Sequence, residues 1–200
     1  MVKKNVLIMA LIFGAFMAKG QSDNKEWIEI NNIKWAKCNV ACDRLFADNP
    51  TEGGFYQWNR TKCWSIPADT INKWDTTGDA SQIWVALNDV CPAGWRLPYL
   101  DEIKSLIGSG SFSGSLDGTK GSFFHGKNNE GNEELLFFPY GTIGIDGELY
   151  NSKENYGNIW AQKGYNMEGI YNMNYHGGVS SWANQLKNRA YGFYVRCVCE

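Results

Sequence analysis

The sequence contains no apolar run long enough to cross a membrane as a helix and no block of like charge. Its 200 residues carry a formal net charge of −2, with 19 Lys and Arg against 21 Asp and Glu. This balance argues against the basic surface of a nucleic-acid-binding protein and against a polybasic membrane patch. The longest apolar run, at residues 6–18, is shorter than the roughly 20 residues that a transmembrane helix needs. We therefore predict no nucleic-acid partner and no membrane span.

Recognisable catalytic motifs are also missing. The sequence has no GxSxG, no HExxH and no glycine-rich phosphate loop. His125 and His176 are far apart, in glycine-bearing contexts that favour loop or turn positions over metal ligation. The sequence does not decide whether two scattered carboxylates form a glycosidase pair, because such pairs meet only in space. We predict no catalytic residues, no metal ligands and no enzyme activity.

The first 20 residues have the pattern of a signal peptide. Lys3 and Lys4 precede the apolar run, and Ala18-Lys19-Gly20 supplies small residues at the cleavage positions. We predict cleavage after Gly20 and export of residues 21–200 as one domain, to the periplasm or the cell surface.

The composition indicates short aromatic strands joined by glycine turns, since 9 Trp, 10 Tyr and 10 Phe stand beside 22 Gly. The stretch EWIEINNIKWAKCNV (26–40) predicts two strands joined at Asn31-Asn32. GGFYQWNR (53–60) predicts another strand, and residues 59–82 predict a long surface loop.

The clearest helix signal is DEIKSLI (101–107), in which apolar residues share one face before Gly108 ends the helix. The following residues, 108–122, are rich in Ser and Gly and are predicted to form turns and loop, anchored by Phe112 and Leu116.

The second half of the chain predicts antiparallel sheet. Strand candidates flank Asp146-Gly147, a favourable two-residue hairpin turn. Later strands are predicted in NIWAQ (158–162), GIYNMNYH (169–176) and YGFYVRCVCE (191–200). One α+β domain follows from this order of elements.

An even number of cysteines in an exported chain indicates disulfides. The candidates are Cys38, Cys42, Cys63, Cys91, Cys197 and Cys199. Their count alone allows 15 pairings. Cys91 begins a rigid stretch, and Cys197 lies near the chain end; their bridge would close about 106 residues and contribute roughly 4–5 kcal/mol on the chain-entropy model.

The stretch CPAGWRLP (91–98), followed by Glu102-Ile103 and Leu106, resembles the signature of the Fibrobacter succinogenes major paralogous domain, a family of exported Bacteroidetes proteins. Further matching segments run in family order: Trp35-Ala36, Cys38-Asn39-Val40, Gly54-Phe55-Tyr56-Gln57-Trp58-Asn59, Asn88-Asp89, Phe137-Phe138-Pro139 and Val195-Arg196-Cys197-Val198. The resemblance implies a C-type-lectin-like α+β fold: twisted antiparallel sheets flanked by short helices, paired N- and C-terminal strands, and long loops on one side. It implies no established activity.

The chain departs from the family pattern at several positions. Tyr99 stands where the family has a helix-capping Thr or Ser, and we expect Asp101 in the first turn to compensate in part, by about 1 kcal/mol at most. Cys42, Cys63 and Cys199 look additional to the family set, and a Cys42–Cys63 bridge is expected to staple the long loop.

An enzymatic alternative comes from the formylglycine-generating enzymes, which share the implied fold and bind copper through a cysteine pair near the chain end. Here the terminal pair is Cys197-Val198-Cys199, with a different spacing. Two structural disulfides are the favoured interpretation over a copper or redox thiol pair.

Calcium-dependent sugar binding of the C-type lectin kind is not indicated, because the sequence has neither the Glu-Pro-Asn or Gln-Pro-Asp tripeptide nor Trp-Asn-Asp. NNEGNEE (128–134) offers oxygen ligands for Ca²⁺, but its spacing fits no EF-hand and favours a solvated loop. We predict no cofactor, with calcium as an alternative that no motif supports.

The region from Tyr165 to Tyr191 is rich in Tyr, Trp and Asn, the residue types that dominate antibody paratopes. The predicted ligand-binding residues are Tyr165, Tyr171, Asn172, Asn174, Tyr175, Trp182 and Asn184. Strand packing is the alternative for about half of the aromatics. By the resemblance, this segment is also the one that varies in C-type-lectin-like proteins targeted by diversity-generating retroelements.

These observations favour a secreted, non-catalytic binding module that recognises a surface glycan or glycoprotein, in the manner of an adhesin or lectin. A structural or tip subunit of a surface appendage, with a protein partner, is the alternative; a copper or thiol oxidase is a third and disfavoured one. Asp69-Thr70-Ile71 and Asp75-Thr76-Thr77 also resemble an O-glycosylation motif of exported Bacteroidetes proteins.

Overall fold

A computed structural model describes residues 26–65, 74–143, 147, 149–150, 156–166, 169–176, 182–183 and 189–200. The predicted signal peptide with its cleavage site, the Asp69-Thr70-Ile71 motif and Asn184 lie outside the described residues. Within these ranges, no helix has the length and apolar character needed to cross a membrane.

This part of the chain is α+β: two mostly antiparallel sheets and one α-helix, α1 (Leu100–Gly108). The strands are β1 (Trp27–Ile30), β2 (Ile33–Ala36), β3 (Phe55–Gln57), β4 (Cys63–Trp64), β5 (Trp95–Arg96), β6 (Phe112–Leu116), β7 (Thr119–Lys127), β8 (Glu133–Pro139), β9 (Thr142–Ile143), β10 (Leu149–Tyr150), β11 (Tyr156–Asn166), β12 (Gly169–His176), β13 (Trp182–Ala183), β14 (Gly192–Tyr194) and β15 (Val198–Cys199). A single 3-10 turn spans Ala86–Asn88. The predicted α+β class is confirmed at this level.

The first sheet joins the two ends of the described chain. Its order is β5-β15-β2-β1-β7-β6, and β8 also pairs with β7. β1 and β2 form the predicted hairpin, in which Asn31 and Asn32 have φ values of 52° and 63°, as a type I′ turn requires. β15 pairs with both β2 and β5, so the C-terminal strand lies against the N-terminal hairpin.

The second sheet holds the strands predicted in the second half of the chain. Its order is β10-β9-β14-β11-β12-β13, with β3 paired to β14 and β4 to β3. β9 and β10 pair antiparallel on either side of the predicted Asp146-Gly147 turn, of which Gly147 is described. Among the strands that the structure describes, all pairings are antiparallel except that of β11 with β14.

Residues 108–122 were predicted as turns and loop, and this prediction is wrong. They contain β6 and the start of β7, joined at Asp117 and Gly118, whose φ values of 49° and 81° fit a hairpin turn. The alternation of apolar and polar residues that marks a strand is not visible here, because Ser and Gly fill most positions. Gly114 is required there, because a Cβ atom at that position would lie 2.7 Å from the ring of Phe123.

The predicted loop 59–82 is also more ordered than expected where it is described. It contains β4, which pairs with β3, and its far end packs back onto the sheet. Trp58 Nε1 donates to the Ser81 carbonyl over 2.8 Å, and Gln57 Nε2 donates to the Asp75 carbonyl over 2.6 Å. Buried donors therefore hold a segment whose polarity suggested a free surface loop.

Helix α1 confirms the predicted helix, but another residue makes the cap. Tyr99 offers no side-chain cap; instead the Glu102 carboxylate accepts the Tyr99 N–H over 2.7 Å. The same carboxylate binds Arg96 through two bonds of 2.7 and 2.8 Å. The expected compensation by Asp101 is therefore made by Glu102, while the largely exposed Asp101 pairs with Lys104.

The core consists of two buried clusters that meet at β11. Ile159 belongs to the cluster that contains Ile103 and Leu106 of α1, whereas Trp160 belongs to the cluster built around Trp58. Both β11 residues are fully buried. Because neighbouring residues of a strand face opposite sides, β11 is covered on both faces at Ile159 and Trp160.

Candidate functional site

Two disulfides fix the corners of the fold. Cys91 and Cys197 are bridged, with Cα atoms 6.0 Å apart, and the bridge ties the turn before β5 to the segment before β15. Cys42 and Cys63 are bridged, with Cα atoms 5.2 Å apart. Both predicted pairings are confirmed.

The other two disulfide candidates, Cys38 and Cys199, are free thiols. The antiparallel register explains this, because Val198 lies opposite Trp35 and Cys199 therefore falls opposite Lys34. Cys38 lies four residues after Lys34. At about 3.4 Å per strand residue, this places Cys38 roughly 13 Å along the strand from the position opposite Cys199, which is beyond the reach of a disulfide. Since Cys197 is bridged to Cys91, the described chain also holds no Cys197–Cys199 thiol pair.

Both histidines lie on strands, in contrast to the loop or turn positions predicted for them. His125 is on β7, where its exposed ring lies 5.6 Å from that of Phe112. His176 ends β12. The glycines next to them in the sequence suggested turns, but Gly126, beside His125, lies within β7.

The polar segment 128–134 connects β7 to β8. Asn128 Oδ1 accepts the N–H groups of Glu130 and Asn132, each over 3.0 Å, and Glu134 pairs with Lys37 over 2.7 Å. These oxygens close a hairpin loop. No group of three or more His, Cys, Asp or Glu residues is arranged for a metal ion in the part of the chain that the structure describes.

The predicted ligand-binding residues lie on three neighbouring strands of the second sheet, apart from Asn184. Tyr165 is on β11, Tyr171, Asn172, Asn174 and Tyr175 are on β12, and Trp182 is on β13. The structure therefore brings most of the set into one region. Tyr165 falls in a register irregularity between Gly164 and Asn166.

The strand register divides this set between two faces of the sheet. Asn174 lies opposite Asn158 of β11 and opposite Trp182 of β13. Cross-strand partners share a face, so these three positions form one row, and Asn172 lies two positions from Asn174 on the same face. Tyr171 and Tyr175 occupy the alternate positions of β12 and so belong to the other face.

A cleft of about 780 Å³ lies on another part of the molecule, between the loop 41–53 and the β6–β7 turn. Its lining includes three carboxylates, Asp43, Asp48 and Glu52, and one ammonium group, Lys120. Aromatic rings of Phe46, Tyr140 and Tyr194 complete the walls. This volume lies within the range of about 300–1,000 Å³ that is typical of small-molecule sites.

Tyr194 is the buried polar group of this cleft. Its side chain is 6% exposed, and its ring packs 4.3 Å from that of Phe55. Burial raises the pKa of its hydroxyl well above the usual range, against the weaker opposing effect of Arg196. The Tyr140 hydroxyl bonds to Ser113 and Ser122, whereas the Tyr194 hydroxyl makes no hydrogen bond with any described residue.

The loop that forms one wall of the cleft is held rigidly. The Cys42–Cys63 bridge anchors one end, where a Cβ atom at Gly54 would overlap the Cys63 sulfur. Asn39 Nδ2 donates to the Glu52 carbonyl over 3.0 Å, and the Tyr56 hydroxyl donates to the Ala41 carbonyl over 2.5 Å. The wall is therefore organised before any ligand arrives.

Sequence patterns did not reveal this cleft, because its walls are far apart in the chain. The expected Cys42–Cys63 disulfide is the sequence feature that pointed to this region, because it predicted that one loop is held in a fixed position. Comparison of the chain with protein families, curated proteins and solved structures gives no match in any of the three.

Proposed function

We propose that the protein is a secreted, non-catalytic binding module of C-type-lectin-like fold that recognises a surface glycan or glycoprotein. The Asn174 and Trp182 positions of the row carry this proposal. They lie opposite each other on the paired strands β12 and β13, and Asn and Trp are residue types that combine hydrogen bonding with a large contact area. The third position, Asn158, is buried, and residues 157–161 of β11 give the site a rigid support.

Three features support the C-type-lectin-like part of the proposal. The C-terminal strand pairs with the N-terminal hairpin, one helix follows the CPAGWRLP corner, and the Cys91–Cys197 bridge joins that corner to the chain end. The two disulfides suit an oxidising, extracytoplasmic compartment.

The test is a glycan and glycoprotein array probed with residues 21–200 carrying both disulfides, once with calcium and once with EDTA. We expect a saturable signal that Trp182→Ala and Asn174→Ala abolish and that Tyr171→Ala, on the other face, retains. Tyr99→Ala is the matched control, because it removes an exposed aromatic far along the chain from the row. Loss with EDTA would reveal a calcium requirement.

A silent array with folded protein would contradict glycan recognition. Co-purification with an appendage shaft from the native host would then identify the protein as a structural or tip subunit. Equal loss of signal in Trp182→Ala and Tyr171→Ala would show that the two faces do not separate the binding residues.

A further inference from the structure

We propose that the cleft between the loop 41–53 and the β6–β7 turn is a second binding site, which takes a ligand carrying a primary ammonium group. The site is separate from the Asn158–Asn174–Trp182 row and does not depend on what that row binds.

The charge of the lining points to a cation. Three carboxylates face one ammonium group, that of Lys120. Asp43 uses one oxygen to accept the Leu45 N–H over 3.0 Å. The side-chain carboxylates of Asp48 and Glu52 form no hydrogen bond or ion pair with the residues that the structure describes. Two carboxylates with free acceptor capacity therefore remain in the same cleft.

The second observation is Tyr194, which is only 6% exposed and lines the cleft. Its hydroxyl forms no hydrogen bond with the residues that the structure describes. A ligand in the cleft can use this free donor and acceptor. A tyrosine hydroxyl is protonated at neutral pH, and its oxygen can accept a bond from an ammonium group.

The remaining lining sets the size and character of the ligand. Phe46 and Tyr140 give apolar surface for a carbon chain or ring, and the volume of about 780 Å³ exceeds what an ammonium group alone fills. The rigid wall lowers the entropic cost of binding. The chemistry fits either a lysine side chain of a peptide or an amino sugar, which share the ammonium group.

The experiment is a titration of the full exported protein with two matched pairs of probes, followed by NMR chemical shifts. The first pair is N-acetyl-lysine methylamide and its Nε-acetylated form; the second is glucosamine and N-acetylglucosamine. We expect at least one ammonium probe to bind saturably and its neutral partner to bind at least tenfold more weakly. The pair that responds identifies the source of the ammonium group.

Variants test whether the cleft is the site. Asp48→Asn combined with Glu52→Gln is expected to weaken binding about tenfold, and Tyr194→Phe, which keeps the ring, about threefold or more. Lys120→Gln is expected to strengthen binding about twofold to threefold, because it removes a competing cation. Loss of structure would not produce this opposite sign.

The matched control for charge is Asp101→Asn combined with Glu133→Gln, which removes two exposed carboxylates outside the lining. It should leave binding unchanged, as should Trp182→Ala, so failure of the row and failure of the cleft are separate results. The proposal is overturned if no ammonium probe saturates up to about 10 mM, an affinity of only about 3 kcal/mol. Equal binding of a neutral partner, or unchanged binding in the Asp48/Glu52 variant, overturns it as well.

Discussion

Arg196 donates from Nε to Asn39 Oδ1 over 2.8 Å, and both residues are buried. Its Nη1 donates to the carbonyls of Ala36 and Lys37 over 2.9 and 2.5 Å, and its Nη2 donates to that of Phe137 over 3.0 Å. A buried charge is tolerated when oxygen acceptors surround it in this way. One side chain thereby joins the C-terminal segment to the end of β2 and to β8.

Replacing Arg196 by Lys should therefore destabilise the fold strongly. A lysine keeps the charge but cannot reproduce the planar fork of donors, so several buried oxygens lose their partners at about 1–3 kcal/mol each. We expect the free energy of unfolding in urea to fall by about 3 kcal/mol or more. Arg60→Lys, at a half-exposed pair with Asp75, is the control and should cost less than about 1 kcal/mol. Similar losses for the two variants would contradict the role given to Arg196.

The sequence predicted local pairing better than the contacts between distant segments. Asn31-Asn32 fixed a hairpin because left-handed turn residues lay between two alternating runs. The β6–β7 hairpin was missed because Ser and Gly supplied no alternation, and its strands depend on Phe112 stacking on Phe123 at 5.3 Å.

The candidate sites show the same limit. The pattern of GIYNMNYH predicted the strand β12, but which residues of β11 and β13 lie opposite Asn174 is a matter of register, which the whole sheet decides. The cleft joins residues near 48 with residues near 120, and no local pattern carries such a contact.

The two disulfides should contribute unequally to stability. The Cys91–Cys197 bridge closes a separation of 106 residues and the Cys42–Cys63 bridge one of 21. On the chain-entropy model these correspond to roughly 5 and roughly 3 kcal/mol. We expect the Cys91→Ala/Cys197→Ala variant to unfold at lower urea than the Cys42→Ala/Cys63→Ala variant. The reverse order would show that native-state packing at the 41–53 loop outweighs loop entropy.

A capping hydroxyl at position 99 should replace part of the cap that Glu102 supplies. Glu102→Ala removes the acceptor of the Tyr99 N–H and the partner of Arg96, and we expect a loss of about 1–2 kcal/mol. Tyr99→Thr, which supplies a capping hydroxyl, should recover part of that loss when combined with Glu102→Ala. A double-mutant cycle by urea unfolding measures the coupling, with Asp101→Ala as the control. Additive effects would mean that the two residues do not share the cap.

Asp89 and Asp75 should give the stability of the protein opposite dependences on pH. Burial raises the pKa of the Asp89 carboxyl, Glu200 adds to this, and the N–H of Cys91 opposes it. Hydrogen bonds from Thr77 lower the pKa of the Asp75 carboxyl.

The signs follow from proton binding in the folded and unfolded states. Folded Asp89 holds its proton more tightly than the unfolded chain does, so its contribution to stability is greatest below the ordinary pKa of about 3.9 and is lost as the pH rises through the folded pKa. Asp75 contributes above about 3.9 and loses that contribution as the pH falls through its lower folded pKa. Two differences in the free energy of urea unfolding are measured between pH 3 and pH 7: wild type minus Asp89→Asn, and wild type minus Asp75→Asn. The Asp89 difference should fall as the pH rises, and the Asp75 difference should increase. Two differences with the same slope would contradict the environments that the structure gives these carboxyls.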